Sequence, residues 1–338
     1  MHIVSYLSYK YNQNYQINKG APLIDILTIT TPFFIIIFLG SLSCKLGWFN
    51  GEQGRTLARF AFFVVLPPFM FVAINSSPVT NKMDFSFLLQ YEISTIMIFT
   101  VAATTGQRLF LLDNSKPAMF GLNATMPNYG YIGVPLCLLA FGAGAALPMA
   151  IILVGDTIVL LTLAAVSAAR SQSYSFKASL KRMILSLVKN PLLLSVLVGF
   201  LSVSLNYKLP KTPTLLLELL AGAAAPTALF ALGITLVGQP ILSVKFELGF
   251  LVFFKLFLHP ILTAIIFLSW PLFGFEMADQ LWIKVAILFS CLPIAANVYA
   301  LSQFYLTYQG RTATAIMLTT VLASATVPLT LYLLDKFL

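Results

Sequence analysis

The sequence predicts an all-α membrane protein whose ten transmembrane helices form two inverted repeats of five helices each. Three observations support this fold class: an apolar composition, ten apolar runs of membrane-spanning length, and a break in the fourth run of each half. Of 338 residues, 59% are hydrophobic and only 9% are charged, whereas an average soluble protein has about 25% charged residues. The runs are continuous and do not show the alternating segments of about ten residues that are typical of a membrane β-barrel.

Each apolar run is close to the roughly 20 residues that cross a bilayer as a helix, and polar residues, Gly or Pro separate the runs. The runs lie at 22–43, 57–75, 87–107, 118–140, 147–168, 188–206, 214–238, 247–270, 281–304 and 312–334. Residues 1–21 precede them as an N-terminal tail. This tail lacks the apolar core and the cleavage site of a signal peptide.

The lysine and arginine residues predict the orientation of the helices. The loops after helices 1, 3, 5, 7 and 9 carry twelve of them, and the opposite side, with both tails, carries seven. Because positively charged loops stay in the cytoplasm, we expect a multi-pass protein of the plasma (inner) membrane with both termini outside the cytoplasm. The net charge of +9 therefore reflects orientation, and no nucleic-acid partner is expected.

The longest loop divides the chain into two halves. This basic cytoplasmic loop, residues 170–189, carries five basic residues and separates a first repeat at 22–169 from a second at 190–338. Because each half holds an odd number of helices, the second half enters the membrane from the opposite side, so the repeat is predicted to be inverted.

Predicted helix 4 contains a break at membrane depth. Its segment Met126–Leu136 includes Pro127, Gly130, Gly133 and Pro135. Proline removes a backbone donor and glycine loosens a helix, so the hydrogen-bond ladder is interrupted where no water can replace the lost bonds. Such breaks are tolerated where protein or a polar cavity covers them, and in secondary transporters they hold the substrate.

Predicted helix 9 is interrupted at the corresponding place by Pro293, which Asn297 follows, and helices 2 and 7 both contain proline near mid-span, at Pro67 and Pro226. Interruptions at matching positions of two halves are the best sequence indication of a transporter's binding site. The alternative is that these residues only kink the helices, because Gly and Pro are common in membrane helices.

The predicted breaks suit an anionic ligand. The start of a half-helix presents free N–H groups and a partial positive charge. Two such starts near the midplane could receive a carboxylate, and the side chains of Asn128 and Asn297 could add neutral amide donors. Tyr129 and Tyr131 of the same motif are candidates for packing or for substrate contact.

Few charged residues lie deep in the apolar runs, and each of them needs a partner. Asp156 lies near the centre of helix 5, and Lys255 lies about nine residues into helix 8 with His259 one turn later on the same face. We predict a buried Asp156–Lys255 pair, which either fixes helix packing or couples protons to transport. Three acidic residues lie nearer to helix ends and are predicted to be interfacial, namely Asp25, Glu92 and Glu218.

Other chemistry is not indicated. The three cysteines, Cys44, Cys137 and Cys291, have no CxxC spacing and are predicted to pack in the apolar runs. His2 and His259 are the two histidines, and no HExxH motif or acid-rich metal motif occurs. We therefore expect no enzyme activity, cofactor or metal, and the chain leaves no length for the output domain of a sensor.

The sequence resembles the auxin efflux carrier family, especially its shorter bacterial malate and malonate permeases. Three stretches carry this resemblance: Asn128–Leu136, Ala225–Leu236 and Pro293–Asn297. The resemblance extends over residues 22–338. It implies a fold like that of sodium/proton antiporters and bile acid symporters, with helices 1, 2, 6 and 7 as an often dimeric scaffold. Helices 3, 4, 5, 8, 9 and 10 would then form a transport domain in which helices 4 and 9 cross.

The same resemblance implies an elevator-like motion that carries an organic anion. By position, Asn128, Pro135, Pro293 and Asn297 would be crossover and binding residues. The long hydrophilic loop of the plant carriers is missing, so no segment for control by phosphorylation is evident, and nothing marks auxin as the substrate.

We therefore expect a secondary transporter of a small organic anion, a mono- or dicarboxylate such as malate or malonate, with Asp156 as the candidate residue for proton coupling. The alternative is a sodium- or proton-coupled symporter or antiporter of the same fold with a different substrate. This alternative ranks second because such sites usually offer several acidic groups or carbonyl cages, and Asp156 is the one acidic residue placed deeply by the sequence.

Overall fold

A computed structural model describes residues 22–77, 85–170, 181, 184–185, 187–207, 209–238 and 245–338. Two predicted segments lie outside the described residues: the N-terminal tail and most of the basic loop 170–189. The helices are α1 Leu23–Lys45, α2 Gly51–Ser76, α3 Phe85–Arg108, α4a Lys116–Thr125, α4b Tyr129–Phe141, α5 Ala146–Arg170, α6 Pro191–Ser204, α7 Lys211–Leu236, α8 Phe246–Phe273, α9a Gln280–Ser290, α9b Ala296–Phe304 and α10 Gln309–Phe337.

The helices lie at the predicted positions, and the prediction of an all-α membrane protein is confirmed. In the described residues, seven helices are long and apolar enough to cross a membrane: α1, α2, α3, α5, α7, α8 and α10. The other three regions are the two broken helices and α6, which has only 14 residues where the sequence predicted a run at 188–206.

Side-chain caps explain where several helices begin. Asn50 and Gln53 form a reciprocal capping box at the start of α2, with both hydrogen bonds 2.9 Å long. Asn190 accepts from the Leu192 amide at 3.0 Å and precedes Pro191 at the start of α6. Asp279 caps α9a by accepting from the Leu281 amide at 2.8 Å.

Prolines widen three helices. Five-residue π-helical turns at Ala61–Val65, Tyr129–Gly133 and Phe254–Leu258 each end two residues before a proline. Proline has no N–H to give the carbonyl four residues earlier and its ring crowds that carbonyl, so the preceding turn opens. The predicted proline of helix 7, Pro226, instead lies inside a continuous helix.

Helices α1 and α7 approach each other through glycines. A Cβ atom on Gly40 would clash with the Phe230 carbonyl oxygen, and one on Gly233 would clash with the Ile37 carbonyl oxygen. Ser41 Oγ donates a hydrogen bond to the Gly233 carbonyl at 2.8 Å across the same contact. Small residues at a helix contact let two backbones pack closely in a membrane.

The buried apolar residues form two clusters. The first cluster joins α1, α2, α6 and α7 to α4b and α9a, and it also includes residues of α3, α5, α8 and α10. Within the described residues, the fully buried members of the second cluster come from α3, α4a, α5, α8, α9b, α10 and their connections. The two broken helices pass from one cluster to the other: α4b and α9a contribute to the first, and α4a and α9b contribute to the second.

Candidate functional site

The two helix breaks pair directly with each other. Pro127, between α4a and α4b, faces Ile294, between α9a and α9b, in an antiparallel bridge. The Asn128 amide donates to the Pro293 carbonyl at 2.9 Å, and the Ala295 amide donates to the Met126 carbonyl at 3.0 Å. Backbone groups that the breaks release from the helices thus satisfy one another where no water is at hand.

This bridge gives a common register to the two breaks. Asn128 is the residue before α4b, and Ala295 is the residue before α9b. Asn297, the other predicted amide donor, is the second residue of α9b, and its side chain is exposed. The predicted pair of amides is therefore not symmetric, because the two asparagines differ by two positions relative to the bridge.

The side chain of Asn128 has a fixed orientation. It is 4% exposed, and its Oδ1 atom accepts from the Tyr131 backbone amide at 3.3 Å. The Nδ2 atom is buried and has no hydrogen-bond partner among the described residues. A buried donor without an acceptor is costly, so this amide group is available to a ligand that brings an acceptor.

The two glycines of the helix 4 motif differ in their surroundings. A Cβ atom on Gly133 would lie 2.6 Å from Leu292 Cδ1 and 3.3 Å from Phe289 Cε1, so Gly133 lets α4b pack against the helix 9 break. A Cβ atom on Gly130 would meet its nearest neighbours at an ordinary 3.8 Å. Pro135 is buried two residues into the regular part of α4b, and Pro293 is buried in the other break.

Lys255 binds the ends of both first half-helices. Its ammonium group is fully buried and donates to the Thr125 carbonyl at 3.2 Å and to the Ser290 carbonyl at 2.8 Å. Thr125 is the last residue of α4a and Ser290 is the last residue of α9a. The C-terminal end of a helix carries a partial negative charge, so a cation is stabilised there.

The predicted Asp156–Lys255 pair does not form a direct salt bridge, although the two side chains interact electrostatically. Among the described residues, no salt bridge joins the two side chains, and the third neighbour of the Lys255 ammonium is His259 Nδ1 at 3.3 Å. Spacing alone could not show that two carbonyl groups from distant helix ends would take the donors of Lys255. The prediction that Lys255 and His259 share one face is confirmed.

Asp156 is instead joined to the helix 4 break. Its side chain is fully buried, and Oδ2 accepts a hydrogen bond from the Tyr129 hydroxyl. That hydroxyl is also 3.1 Å from the Tyr91 hydroxyl of α3, and the Thr95 side chain lies beside the carboxylate. Tyr129, the first residue of α4b, is therefore hydrogen-bonded to a buried acid.

Glu92 was predicted to be interfacial, and this prediction is wrong. Its side chain is 7% exposed, and neither carboxylate oxygen has a hydrogen-bond partner among the described residues. The sequence did hold a signal: the middle of α3 contains a run of polar residues whose members are all buried, namely Gln90, Glu92, Ser94 and Thr95. A polar stretch within a membrane helix indicates a face that is turned to the protein interior. Asp25 and Glu218, in contrast, are exposed.

A further buried acid, Glu247, lies outside this group. Glu247, at the start of α8, accepts from the Tyr308 hydroxyl and forms a 2.9 Å salt bridge with Arg311. Tyr308 has φ of 62°, in the left-handed region that a tyrosine rarely adopts. Burial and the Glu247 carboxylate raise the pKa of the Tyr308 hydroxyl. The hydroxyl therefore stays protonated and keeps donating.

The electrostatics of the paired breaks favour an anion. The Lys255 ammonium binds the negative C-terminal ends of α4a and α9a. The positive N-terminal ends of α4b and α9b have no acidic cap: Asn128 caps α4b with a neutral amide, and no side chain caps α9b. N–H groups at helix starts bind carboxylates and phosphates. Among the described residues there is no group of three or more His, Cys, Asp or Glu side chains that could hold a metal ion, and Cys137 and Cys291 are buried in the core.

Comparison with known proteins identifies the relatives of this chain. A family model described as "Membrane transport protein" matches residues 25–331. The chain is 33% identical over 314 residues to the "Putative malonate transporter" of Rhizobium meliloti (strain 1021), covering 92% of this chain and 96% of that protein. It is 22% identical over 309 residues to the "Uncharacterized transporter YfdV" of Escherichia coli (strain K12), covering 89% of this chain and 95% of that protein.

These relatives are named as transporters and not as enzymes, which agrees with the prediction from the motifs. The family match covers most of the chain, and it includes both breaks and the proline of α7. The chain therefore belongs to the membrane transport proteins of the auxin efflux carrier family.

Proposed function

We propose that this protein is a secondary transporter of a small organic anion, a mono- or dicarboxylate such as malonate or malate. The anion binds where the two helix breaks meet, at the starts of α4b and α9b. The observation that carries the proposal is the Asn128 side chain, whose buried Nδ2 donor has no acceptor of its own. The name of the relative that is 33% identical supports malonate as the first substrate to test.

The charges around the breaks support an anion over a cation. A cation at the paired breaks would compete with the Lys255 ammonium, which already binds the Thr125 and Ser290 carbonyls. An anion would find two helix starts without acidic caps. Pro293 and Pro135 keep these starts free of a continuous helix, and the exposed Asn297 in the first turn of α9b is a second candidate amide donor.

The mechanism that we propose is of the elevator type. In it, α1, α2, α6 and α7 form a fixed scaffold, and α3, α4, α5, α8, α9 and α10 form a moving transport domain. Each of the two inverted repeats contributes two helices to the scaffold and three to the transport domain. The division of the buried core supports this mechanism. Within the described residues, all buried members of the second cluster belong to the proposed transport domain, and none belongs to α1, α2, α6 or α7. The close backbone contact of α1 with α7 at Gly40 and Gly233 supports a rigid scaffold.

Proton coupling is part of this proposal. Asp156 is buried and hydrogen-bonded to Tyr129, which begins α4b. A change in the charge of Asp156 therefore changes the electrostatic potential at the anion site. The alternative is a symporter or antiporter of the same fold that uses sodium or moves a different substrate.

The test is uptake of labelled malonate and malate by proteoliposomes of the purified protein, with a pH gradient or a sodium gradient imposed separately. We expect uptake of at least one carboxylate that a proton gradient stimulates and a sodium gradient does not. Uptake that needs sodium, or uptake of no carboxylate, would contradict the proposal.

Two further parts of the proposal concern the setting of the transporter. The protein lies in the plasma membrane with both termini outside the cytoplasm, and it pairs with a second copy through α1, α2, α6 and α7. Labelling of single cysteines introduced near Leu338 and in the loop around Asn50 tests the orientation. Cross-linking of cysteines on exposed positions of α2 tests the dimer.

A further inference from the structure

A group of buried polar side chains lies beside the paired breaks, and the function proposed above uses only part of it. The group comes from four helices: Tyr91 and Glu92 on α3, Tyr129 on α4b, Asp156 on α5, and Lys255 with His259 on α8. We call these six residues the buried polar cluster. Glu92 is 7% exposed and Tyr129 is 6% exposed, and the other four are fully buried.

The two acids of this cluster lie on helices that pack against each other. Glu92 Oε1 lies 3.2 Å from the position that a Cβ atom would take on Gly155, the residue before Asp156. The space left at Gly155 is taken mainly by Leu88, whose Cδ1 atom lies 2.4 Å from that position, with Glu92 beside it. Glu92 of α3 therefore faces the turn of α5 next to Asp156, and the two carboxyl groups interact electrostatically.

The hydrogen bonds of the two acids are incomplete. Asp156 uses Oδ2 to accept from Tyr129, but Oδ1 has no partner at hydrogen-bond geometry. Both oxygens of Glu92 are also without a partner in the described part of the chain. A buried carboxylate ion needs donors or a counter-ion, because its transfer from water is otherwise very costly.

The cluster also lacks one positive charge. If both acids were ionised and Lys255 were charged, the cluster would have a net charge of −1. His259 does not supply the missing charge, because its Nδ1 atom faces the Lys255 ammonium at 3.3 Å and must accept from it. Cys291, which also lies near Lys255 and Tyr91, is neutral as a thiol. One bound proton makes the cluster neutral and turns one acid into a donor.

We propose that Glu92 and Asp156 form one proton-binding site, in which a single proton is shared between the two carboxylates. When the site binds, a carboxylate oxygen takes a proton from water on one side of the membrane, and it returns that proton to water on the other side. Two adjacent carboxylates titrate as a pair and hold one proton between them.

Tyr129 connects this proton site to the anion site. Its hydroxyl donates to Asp156, and its backbone lies in the first turn of α4b, directly after Asn128. With the proton absent, the net negative charge of the cluster repels an anion at the breaks, and with the proton present this repulsion is removed. The proton and the anion therefore bind together, which makes the transporter a proton symporter. This inference rests on the proposed function.

The first experiment needs no substrate. Infrared difference spectra of the purified protein between acidic and alkaline pH report the C=O stretching band of a buried protonated carboxyl group. We expect Glu92→Gln and Asp156→Asn each to remove or shift this band. The matched control Glu218→Gln, which changes an exposed acid of α7, should leave it unchanged. Size-exclusion profiles and circular dichroism show whether each variant is folded.

The second experiment measures malonate uptake by the same proteins with and without an inward proton gradient. We expect stimulation in the wild type and in Glu218→Gln, and its loss in Glu92→Gln. Gly155→Ala, which keeps both acids but displaces Leu88 and Glu92, should weaken the stimulation. If Glu92→Gln keeps both the wild-type band and the wild-type response to the gradient, the shared site is refuted.

The two experiments also separate this inference from the function on which it rests. If the wild type takes up no carboxylate but the infrared band behaves as described, the proton site stands and the proposed anion is wrong. If sodium ions abolish the band at constant pH, the acids bind a metal cation and the inference is overturned.

Discussion

Replacement of Lys255 by methionine tests how the two first half-helices are held. The ammonium group donates to the Thr125 carbonyl at 3.2 Å and to the Ser290 carbonyl at 2.8 Å, and it is fully buried. Lys255→Met keeps most of the side-chain volume and removes both hydrogen bonds and the charge. The two carbonyl oxygens then lose their donor at a depth where water does not replace it.

The magnitude follows from these contacts. A hydrogen bond to a charged group contributes about 1.5 to 3 kcal/mol, so the loss of two of them gives about 3 to 6 kcal/mol. This range overlaps the roughly 3 to 5 kcal/mol that follow when one partner of a buried charge pair is removed. We expect a fall in the melting temperature on the order of 10 °C, because about 1 kcal/mol corresponds to a few degrees in a chain of this size.

The assay is thermal unfolding of the detergent-purified protein, followed by tryptophan fluorescence. The control is Lys211→Met, which removes an exposed lysine at the start of α7 and should leave the melting temperature unchanged. If Lys255→Met melts within about 2 °C of the wild type, Lys255 does not stabilise the helix ends and the reasoning is refuted.

Three further predictions concern the packing of the helices. Gly133→Ala should lower malonate uptake severalfold, because its Cβ atom would lie 2.6 Å from Leu292 Cδ1. Gly130→Ala, whose Cβ atom would lie 3.8 Å from its nearest neighbours, should take up malonate as the wild type does. Equal uptake by both variants would show that close packing at the break does not limit transport. Gly233→Ala should destabilise the protein by about 1 to 3 kcal/mol or more through the clash with a backbone carbonyl of α1, as measured by thermal unfolding, and an unchanged melting temperature would contradict this. Arg311→Met should lower the melting temperature by leaving Glu247 with the Tyr308 hydroxyl as its remaining donor, and an effect no larger than that of Lys211→Met would count against a structural role for this salt bridge.

Much of the fold was predictable because membrane helices carry a strong sequence signal. Every backbone group in a bilayer needs an internal partner, so apolar runs and their interruptions report directly on helices and breaks. Both breaks lie in the predicted segments, around Pro127 and around Pro293, although helix resumes at Tyr129 and Gly130 lies inside α4b. The short length of α6 was not predicted, because Asn190 and Pro191 start this helix three residues inside the apolar run.

The partners of the buried charged residues were less predictable. Lys255 was correctly expected to need a partner, but its acceptors are carbonyl groups at Thr125 and Ser290, which no residue-type pattern marks. The burial of Glu92 is indicated by its polar neighbours on α3, because its distance from the helix end alone favours an interfacial position. Residue type alone pairs Asn297 with Asn128, whereas the backbone bridge between Pro127 and Ile294 gives Ala295 the position that corresponds to Asn128.

The most direct test of the central claim is uptake of labelled malonate by proteoliposomes that contain equal amounts of wild-type protein or Asn128→Ala. The claim is that the buried Asn128 amide, with its free Nδ2 donor, binds the anion at the paired breaks. Loss of a hydrogen bond to a charged group, about 1.5 to 3 kcal/mol, corresponds to a loss of about tenfold or more in the affinity for the anion. The account predicts saturable uptake by the wild type and at least this loss in the folded variant, and uptake by Asn128→Ala at the wild-type rate and affinity would contradict it.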